Sequence, residues 1–311
     1  MTTVTIGIPF YNAESTLADA IRSVFAQTFQ DWQLILADDG STDGSLGIAR
    51  AVRDERVRIL AGAQNRGVAC VMNEIVRMAR AEYVARLDAD DLMHPERLER
   101  QLELLRSKPN LNVVGASIYT MDSANNPVGK RASTPITARR LLQRNCVGQT
   151  SVTARSSFLR ENPYDTEFRR AQDYELWCRT WVKGVLRAER LPAALSFHRE
   201  AESVSLSKIL ASYRWHRKVL RRFGPRLCNT PLTCMEIAKT HGKELAHCLF
   251  AAAGRQMILV SRRSQSISED EAALARSVLR SVLRTRVPGL PDPESFPNQH
   301  ASVGSGTGQG V

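Results

Sequence analysis

Apolar and polar positions alternate in blocks over the first 120 residues. Residues 4–9, 32–37, 57–60, 83–87 and 113–119 are short apolar runs of strand length, each bounded by polar or turn residues. Between them the apolar positions recur at helical spacing. Leu17, Ile21, Val24 and Phe25 share one face, as do Val68, Val71, Met72, Ile75 and Val76 over residues 68–80. Residues 45–53 also read as helical. Pro95 suits the first turn of a further helix that turns Leu98, Leu102 and Leu105 inward. Alternation of this kind predicts an α/β fold, a mostly parallel, Rossmann-like sheet covered by helices. There is no internal repeat.

The pattern changes after residue 205. Residues 206–290 read as a helical extension. Ile209, Tyr213, His216, Leu220 and Phe223 form one face, and Arg214, Arg217, Lys218, Arg221 and Arg222 fall mainly on the other. Arg276, Arg280 and Arg284 recur every four residues beside Leu274, Val278, Leu279, Val282 and Leu283. The Pro-, Gly- and Ser-rich stretch from 288 predicts a disordered tail. The expected division is therefore a sheet domain over 1–205, a basic helical region over 206–290 and a tail over 291–311.

Composition narrows the class. The 311 residues are 43% hydrophobic and 24% charged, which excludes wholesale disorder, collagen and a short disulfide scaffold. No apolar run approaches the roughly 18 residues of a membrane span. The N-terminus lacks the charged and apolar regions of a signal peptide. The six cysteines are isolated, which predicts free thiols in a reducing compartment, so the expected location is cytoplasmic.

The net charge of +11 is unevenly placed. Residues 1–205 carry +2, residues 206–290 carry +11 and the tail carries −2. The basic helices admit a plain solvated face or peripheral contact with an anionic membrane, which would put the protein at the inner leaflet. A nucleic-acid partner is disfavoured, since no zinc, homeodomain or RRM pattern accompanies the charge. Oligomeric state is not readable.

In parallel sheets, ligands bind beyond the carboxyl ends of the strands. Three of those ends carry polar clusters, at residues 9–12, 38–41 and 88–91. Neighbouring strands would line one crevice with them. Asp88-Ala89-Asp90-Asp91 is the sharpest, because three carboxylates in four residues repel one another unless a cation sits among them. Mg²⁺ or Mn²⁺ would suit such oxygen ligands while leaving positions open for phosphate. The plainer reading is a surface turn ahead of Pro95. Arg66, in Asn65-Arg66-Gly67, offers a fork of donors to a diphosphate.

In order, the motifs run Ile8-Pro9-Phe10-Tyr11-Asn12-Ala13-Glu14, Leu36-Ala37-Asp38-Asp39-Gly40-Ser41-Thr42-Asp43, Asn65-Arg66-Gly67, Leu87-Asp88-Ala89-Asp90-Asp91 and Gln172-Asp173-Tyr174-Glu175-Leu176-Trp177. This series resembles the family 2 glycosyltransferases over roughly residues 3–205. The resemblance implies a GT-A fold, a nucleotide-sugar donor, a DXD motif with Mg²⁺ or Mn²⁺, and a glycan or lipid-linked acceptor. It implies that Pro9, Tyr11 and Glu14 shape the nucleoside pocket, Asp39 meets the base, Asp88 approaches the ribose, Asp90 ligates the metal and Asp91 supports that loop. Asp173 matches the family's general base. One base opposite the leaving group implies inversion, with Arg66 and the metal countering charge on the departing diphosphate.

Two positions depart from the family pattern. Gln172 stands where Glu is usual, and Glu200 stands where a histidine often sits, after Phe197-His198-Arg199 and before Ser203-Val204-Ser205. His198 could substitute as a ligand, although a structural role is the better reading. These departures keep open a catalytically inactive nucleotide-sugar-binding or scaffold protein as the alternative. The chain lacks a Gln-x-x-Arg-Trp signature, which favours single addition over processive synthesis. Trp177, Trp181 and Trp215 could stack on a sugar, with helical core packing the default for the first two. Residues 145–151 are expected on the acceptor side.

Overall fold

The computed structural model describes residues 2–200, 206–252 and 264–293. Ser203-Val204-Ser205 and the tail from residue 294 therefore lie outside the described residues.

The predicted alternation is present. Strands β1 (Val4–Phe10), β2 (Trp32–Asp38), β3 (Val57–Leu60) and β4 (Tyr83–Arg86) pair in parallel in the order β3-β2-β1-β4. Val4 lies opposite both Trp32 and Tyr83, and Phe10 lies opposite Asp38. Helices α1 (Leu17–Phe25), α2 (Ser45–Ala51) and α3 (Val68–Met78) make the crossovers. Helices α1 and α3 bury most of the stripe expected of them: Leu17, Ile21 and Val24 on α1, with Phe25 half-buried, and Val71, Met72, Ile75 and Val76 on α3, with Val68 half-buried.

Alternation along β2 sorts its side chains between two cores. Leu34 and Leu36 pack with α1, while Ile35 and Ala37 pack with α3. Helix α4 (Arg97–Ser107) buries Leu98, Leu102 and Leu105 as expected. It begins two residues after Pro95, so that proline sits in the turn ahead of the helix rather than in its first turn.

Beyond β4 the sheet becomes mixed. Strands β5 (Leu92–Met93), β6 (Val113–Met121), β7 (Pro127–Arg131), β8 (Thr153–Arg155) and β9 (Ala188–Arg199) extend it in the order β4-β8-β6-β9-β5. Strand β8 runs antiparallel to both β4 and β6, β5 runs antiparallel to β9, and β7 pairs with the far end of β6. Only β6 and β9 restore a parallel pair. The parallel expectation thus holds for the first four strands, and the rest is assembled from long-range partners that a local pattern does not display. Helices α5 (Ala138–Gln143), α6 (Ser156–Glu161) and α7 (Gln172–Val182) cover this half.

The extension comprises α8 (Leu206–Leu227), α9 (Thr230–Ala252) and a last helix, α10 (Glu269–Leu283). Val219, Phe223 and Leu227 of α8 enter the same core as Trp177. Helix α9 folds back on α8, and Gly224 allows the close approach, since a Cβ there would stand 2.5 Å from the Thr233 side chain. Helix α10 packs Ala275, Leu279 and Val282 against Leu92 and Phe197.

One basic face is not as the spacing suggests. Arg217 is buried against α9, ion-paired with Glu244 at 2.7 Å. Lys218 and Arg222 pair with Glu167 and Asp165 on the sheet domain, at 3.9 and 2.9 Å. Part of the basic face of α8 is therefore paired within the molecule. No helix among the described residues is long and apolar enough to cross a membrane.

Candidate active site

Because β1, β2 and β4 are neighbours, their carboxyl ends bring the three polar clusters side by side. The loops are stitched together by their own side chains. Asn12, at φ 50°, donates its N–H to Ser41 Oγ (3.0 Å) and accepts from Thr42 N–H (2.8 Å). Glu14 accepts from Gly44 N–H (3.0 Å) at the start of α2, so its carboxylate is committed to holding two loops together. Pro9 is buried in β1, whereas Tyr11 stands at the rim, 47% exposed. Asp39 is buried, and its two oxygens accept from Arg66 N–H (2.7 Å) and Gly67 N–H (2.8 Å) at the start of α3. The Arg66 guanidinium is held by Glu74 at 2.6 Å, so contact with a diphosphate requires it to exchange that partner.

The acidic cluster is partitioned rather than pooled. Asp88 is engaged by Arg86, whose Nε and Nη2 each lie 2.8 Å from one carboxylate oxygen. Asp91, fully buried, is clamped from β9. His198 Nδ1 lies 3.0 Å from Asp91 Oδ2, and Arg199 N–H donates to Oδ1 at 3.1 Å. Strand β5 makes this possible, because Leu92 pairs with Phe197 and so draws the cluster against the end of β9. Asp91 raises His198 to about 9, which makes it an imidazolium at neutral pH.

Asp90 is exposed, and its carboxylate has no side-chain partner among the described residues. The protein crowded around its carboxyl, and then the charges of Asp91 and Asp88, push it up to about 6. Among the described residues no group of three or more His, Cys, Asp or Glu is arranged to hold a metal. The donor set therefore fits a hard cation held by one carboxylate, with ligand phosphates and water completing its shell, and does not fit an all-protein cage.

The second half of the site comes from α7. Ala171 adopts φ 57°, a left-handed conformation unusual for a residue with a Cβ, immediately ahead of Gln172 and Asp173. Both side chains are buried at the helix start. Asn145 Nδ2 donates to Asp173 Oδ2 at 2.5 Å. Burial raises the Asp173 carboxyl above its ordinary range, while the Arg86 charge and the Asn145 bond pull against that rise. A cavity of about 260 Å³ opens on it, lined by Asn145, Arg170, Ala171, Asp173, Tyr174, Ser212 and His216. The expected acceptor-side segment thus contributes Asn145, while Ser212 and His216 come from α8 of the basic region. A larger cavity of about 570 Å³, around Asn112, Arg155 and Arg187, lies at the start of β6 and the end of β8, away from these carboxylates.

The remaining candidates resolve into packing. Glu200 pairs with Arg131 and accepts from Ser264 Oγ at 3.1 Å. Trp177 is buried in the core, and Trp181 packs against it. Trp215 lies on Phe168, ring centroids 5.5 Å apart, with Lys218 Nζ 5.0 Å from its ring. Sequence reasoning missed Arg86, a cation that acts on both Asp88 and Asp173. Its signal was an arginine inside an otherwise apolar strand, two residues before the acidic cluster. It also missed Arg97, buried with its guanidinium on the carbonyls of Thr150 (2.6 Å), Arg86 (2.8 Å) and Val152 (2.9 Å), which ties β4 to β8 beneath the site.

Comparison with known proteins bears on this arrangement. The family described as Glycosyl transferase family 2 matches residues 5–166. EpsE of Bacillus subtilis, named as a glycosyltransferase, is 30% identical over 238 residues, covering 70% of this chain and 82% of that protein. WfgD of Escherichia coli, a UDP-Glc:α-D-GlcNAc-diphosphoundecaprenol β-1,3-glucosyltransferase, is 32% identical over 175 residues, 56% of this chain and 68% of its own. Among solved structures, S. aureus TarS 1–349 in complex with UDP-GlcNAc aligns over 91% of this chain and 81% of its own. The TM-score is 0.61 at 15% identity, a likeness of fold.

Proposed function

The chain belongs to glycosyl transferase family 2, and from that membership we propose that it is an inverting transferase that moves a sugar from a UDP-sugar to a hydroxyl of a glycan or lipid-linked acceptor in cell-surface polysaccharide synthesis. The observation that carries this reading is Asp173, a buried carboxylate held by Asn145 beside a cavity and within the field of the donor-loop arginine. UDP-Glc and a lipid-diphosphate-linked acceptor in the name of WfgD support the choice of substrates.

The roles of the residues are those the family resemblance implies, and the geometry supports each as follows. Tyr11, open at the rim, offers a ring face to the nucleobase, and Pro9 fixes the backbone beneath it. Glu14 braces the β1 and β2 loops around that pocket. Asp39, with lone pairs left after its two backbone bonds, accepts from the base. Asp88, steadied by Arg86, meets the ribose. Asp90 would hold a Mg²⁺ or Mn²⁺ ion, which would supply positive charge to the donor diphosphate. Asp91 and His198 keep that loop in place, and Arg66 adds a donor fork on leaving Glu74.

The acceptor hydroxyl enters the cavity at Asp173. Its proton passes to the carboxylate as the oxygen attacks the anomeric carbon, while the bond to the nucleoside diphosphate breaks on the opposite side. A single base on the attacking face leads to inversion. Gln172 carries no charge beside Asp173, which leaves proton transfer to one carboxylate.

A donor panel tests this reading: UDP-, dTDP- and GDP-sugars, with and without Mn²⁺, scored by slow donor hydrolysis and by binding. The expected result is Mn²⁺-dependent hydrolysis of a UDP-sugar. Asp173→Asn should lower turnover by about 10²–10⁴-fold and leave donor affinity unchanged. Unchanged turnover in that variant would remove Asp173 as the base, and binding without turnover in the unmodified protein would favour the scaffold reading.

A further inference from the structure

Helix α9 is amphipathic the wrong way round. The side it turns into the protein carries Thr233, Glu236, Thr240 and His247, all buried. The side it turns outward carries Met235, Leu245 and Leu249, at 42%, 61% and 62% exposed, together with exposed Ala238, Gly242 and Ala252. These six positions fall at spacings of three and four, so they form one continuous stripe. A surface helix normally turns its apolar stripe to the core and its polar residues to water. Here polar contacts hold the inner face: Arg217 to Glu244 at 2.7 Å, and Tyr213 against His247 with ring centroids 5.9 Å apart. Among the described residues nothing covers the apolar face.

Charge selects among the occupants. Lys239, His241 and Lys243 are all exposed on the flanks of the stripe; Lys239 is paired with Glu236 at 2.7 Å and His241 with Glu244, whereas Lys243 has no acidic partner among the described residues. The segment they belong to carries +11 over residues 206–290. A second copy laid against this face would bring like charges together. An anionic bilayer surface complements both features, since its acyl boundary takes the leucines and its headgroups take Lys243, at about 1 kcal/mol for each cation near the surface. We propose that the outward face of α9 docks on the surface of an anionic membrane, with Met235, Leu245 and Leu249 as the apolar anchors and Lys243 as the headgroup contact.

This goes beyond the sugar-transfer reading and does not depend on it. It also moves the contact expected from sequence. The arginine face of α8 is partly consumed by Glu244, Glu167 and Asp165, and α9 supplies a longer apolar stripe. Helix α8 then lies between the docked helix and the cavity at Asp173, to which it contributes Ser212 and His216.

The test is co-sedimentation of the full chain with vesicles of phosphatidylcholine alone and of phosphatidylcholine with phosphatidylglycerol. The intact protein should sediment with the anionic vesicles, less so as salt rises, and Leu245→Ser with Leu249→Ser should weaken binding by about tenfold or more. Both leucines are exposed, so the variant should keep its fold, checked by an unchanged melting curve and unchanged hydrolysis of soluble donor. Equal binding by the variant, or no binding by the intact protein, overturns the proposal. So does a concentration-dependent dimer that the leucine changes abolish, which would assign the face to a second copy. Donor hydrolysis reads the sugar-transfer proposal separately, so failure of one is distinguishable from failure of the other.

Discussion

The four carboxylates of the site have the same chemistry and four different environments. Asp88 has an arginine, Asp91 has an imidazolium, Asp90 has neither, and Asp173 has an amide and burial. On the proposed reading, that difference would leave Asp90 open to a cation and Asp173 to take a proton. Burial raises Asp173, so the deprotonated form that can act as base is lost on acidification at a higher pH than for an ordinary carboxyl. Asn145 donates to the charged form and holds that rise in check. Replacing it, Asn145→Ala, should therefore shift the acidic limb of the kcat profile to higher pH, with kcat recovered on the alkaline side. A pH–rate profile that keeps its acidic limb in place would show that the bond is structural only. Asp88, Asp90, Asp91 and Asp173 could all be read as candidates from sequence because carboxylates cluster visibly. Their division of labour could not, because it is set by Arg86, Asn145 and His198, which reach them from β4, from the segment after α5 and from β9.

At the scale of elements, the site depends on short strands that bring distant segments together. Strand β5 has two residues, yet it sets Asp91 against His198 and Arg199. The first four strands and helices α1, α3 and α4 were legible because each carries its own period. Strands β5, β8 and β9 were not, since they are held by partners about 40 to 105 residues away and their patterns are short or interrupted by charge, and β7, a local partner of β6, carries too short and polar a pattern. The clamp they build has a pH signature. His198 is raised from 6.5 to about 9 by its bond to buried Asp91, so its stabilising effect is fully present below pH 6.5 and fades as pH rises through about 9. His198→Ala should cost about 3 kcal/mol at pH 6, because it strands a buried charge, and less at pH 10. Urea titrations at the two values measure the difference, and an equal cost at both would mean that the ring contributes by packing rather than by charge.

At the scale of the whole molecule, the change in composition at residue 205 suggests a boundary, while the packing across it is continuous. Val219 and Phe223 of α8 share a core with Trp177 and Phe158, Arg222 reaches Asp165, and Ser212 and His216 wall the cavity at Asp173. A basic helical region built into the site in this way should not melt on its own. Unfolding followed by far-UV circular dichroism and by tryptophan fluorescence should give coincident transitions, because Trp215 lies in α8 and Trp177 in the sheet domain. The pair that holds α9 to α8 can then be tested within that transition. Arg217→Met alone leaves Glu244 without its cation and should lower stability by about 3 kcal/mol. Arg217→Met with Glu244→Leu should recover most of that loss, because replacing both partners by apolar groups removes the desolvation penalty along with the attraction. Two separate transitions, or a single variant no less stable than the double one, would mean that the extension is attached to the transferase domain rather than part of it.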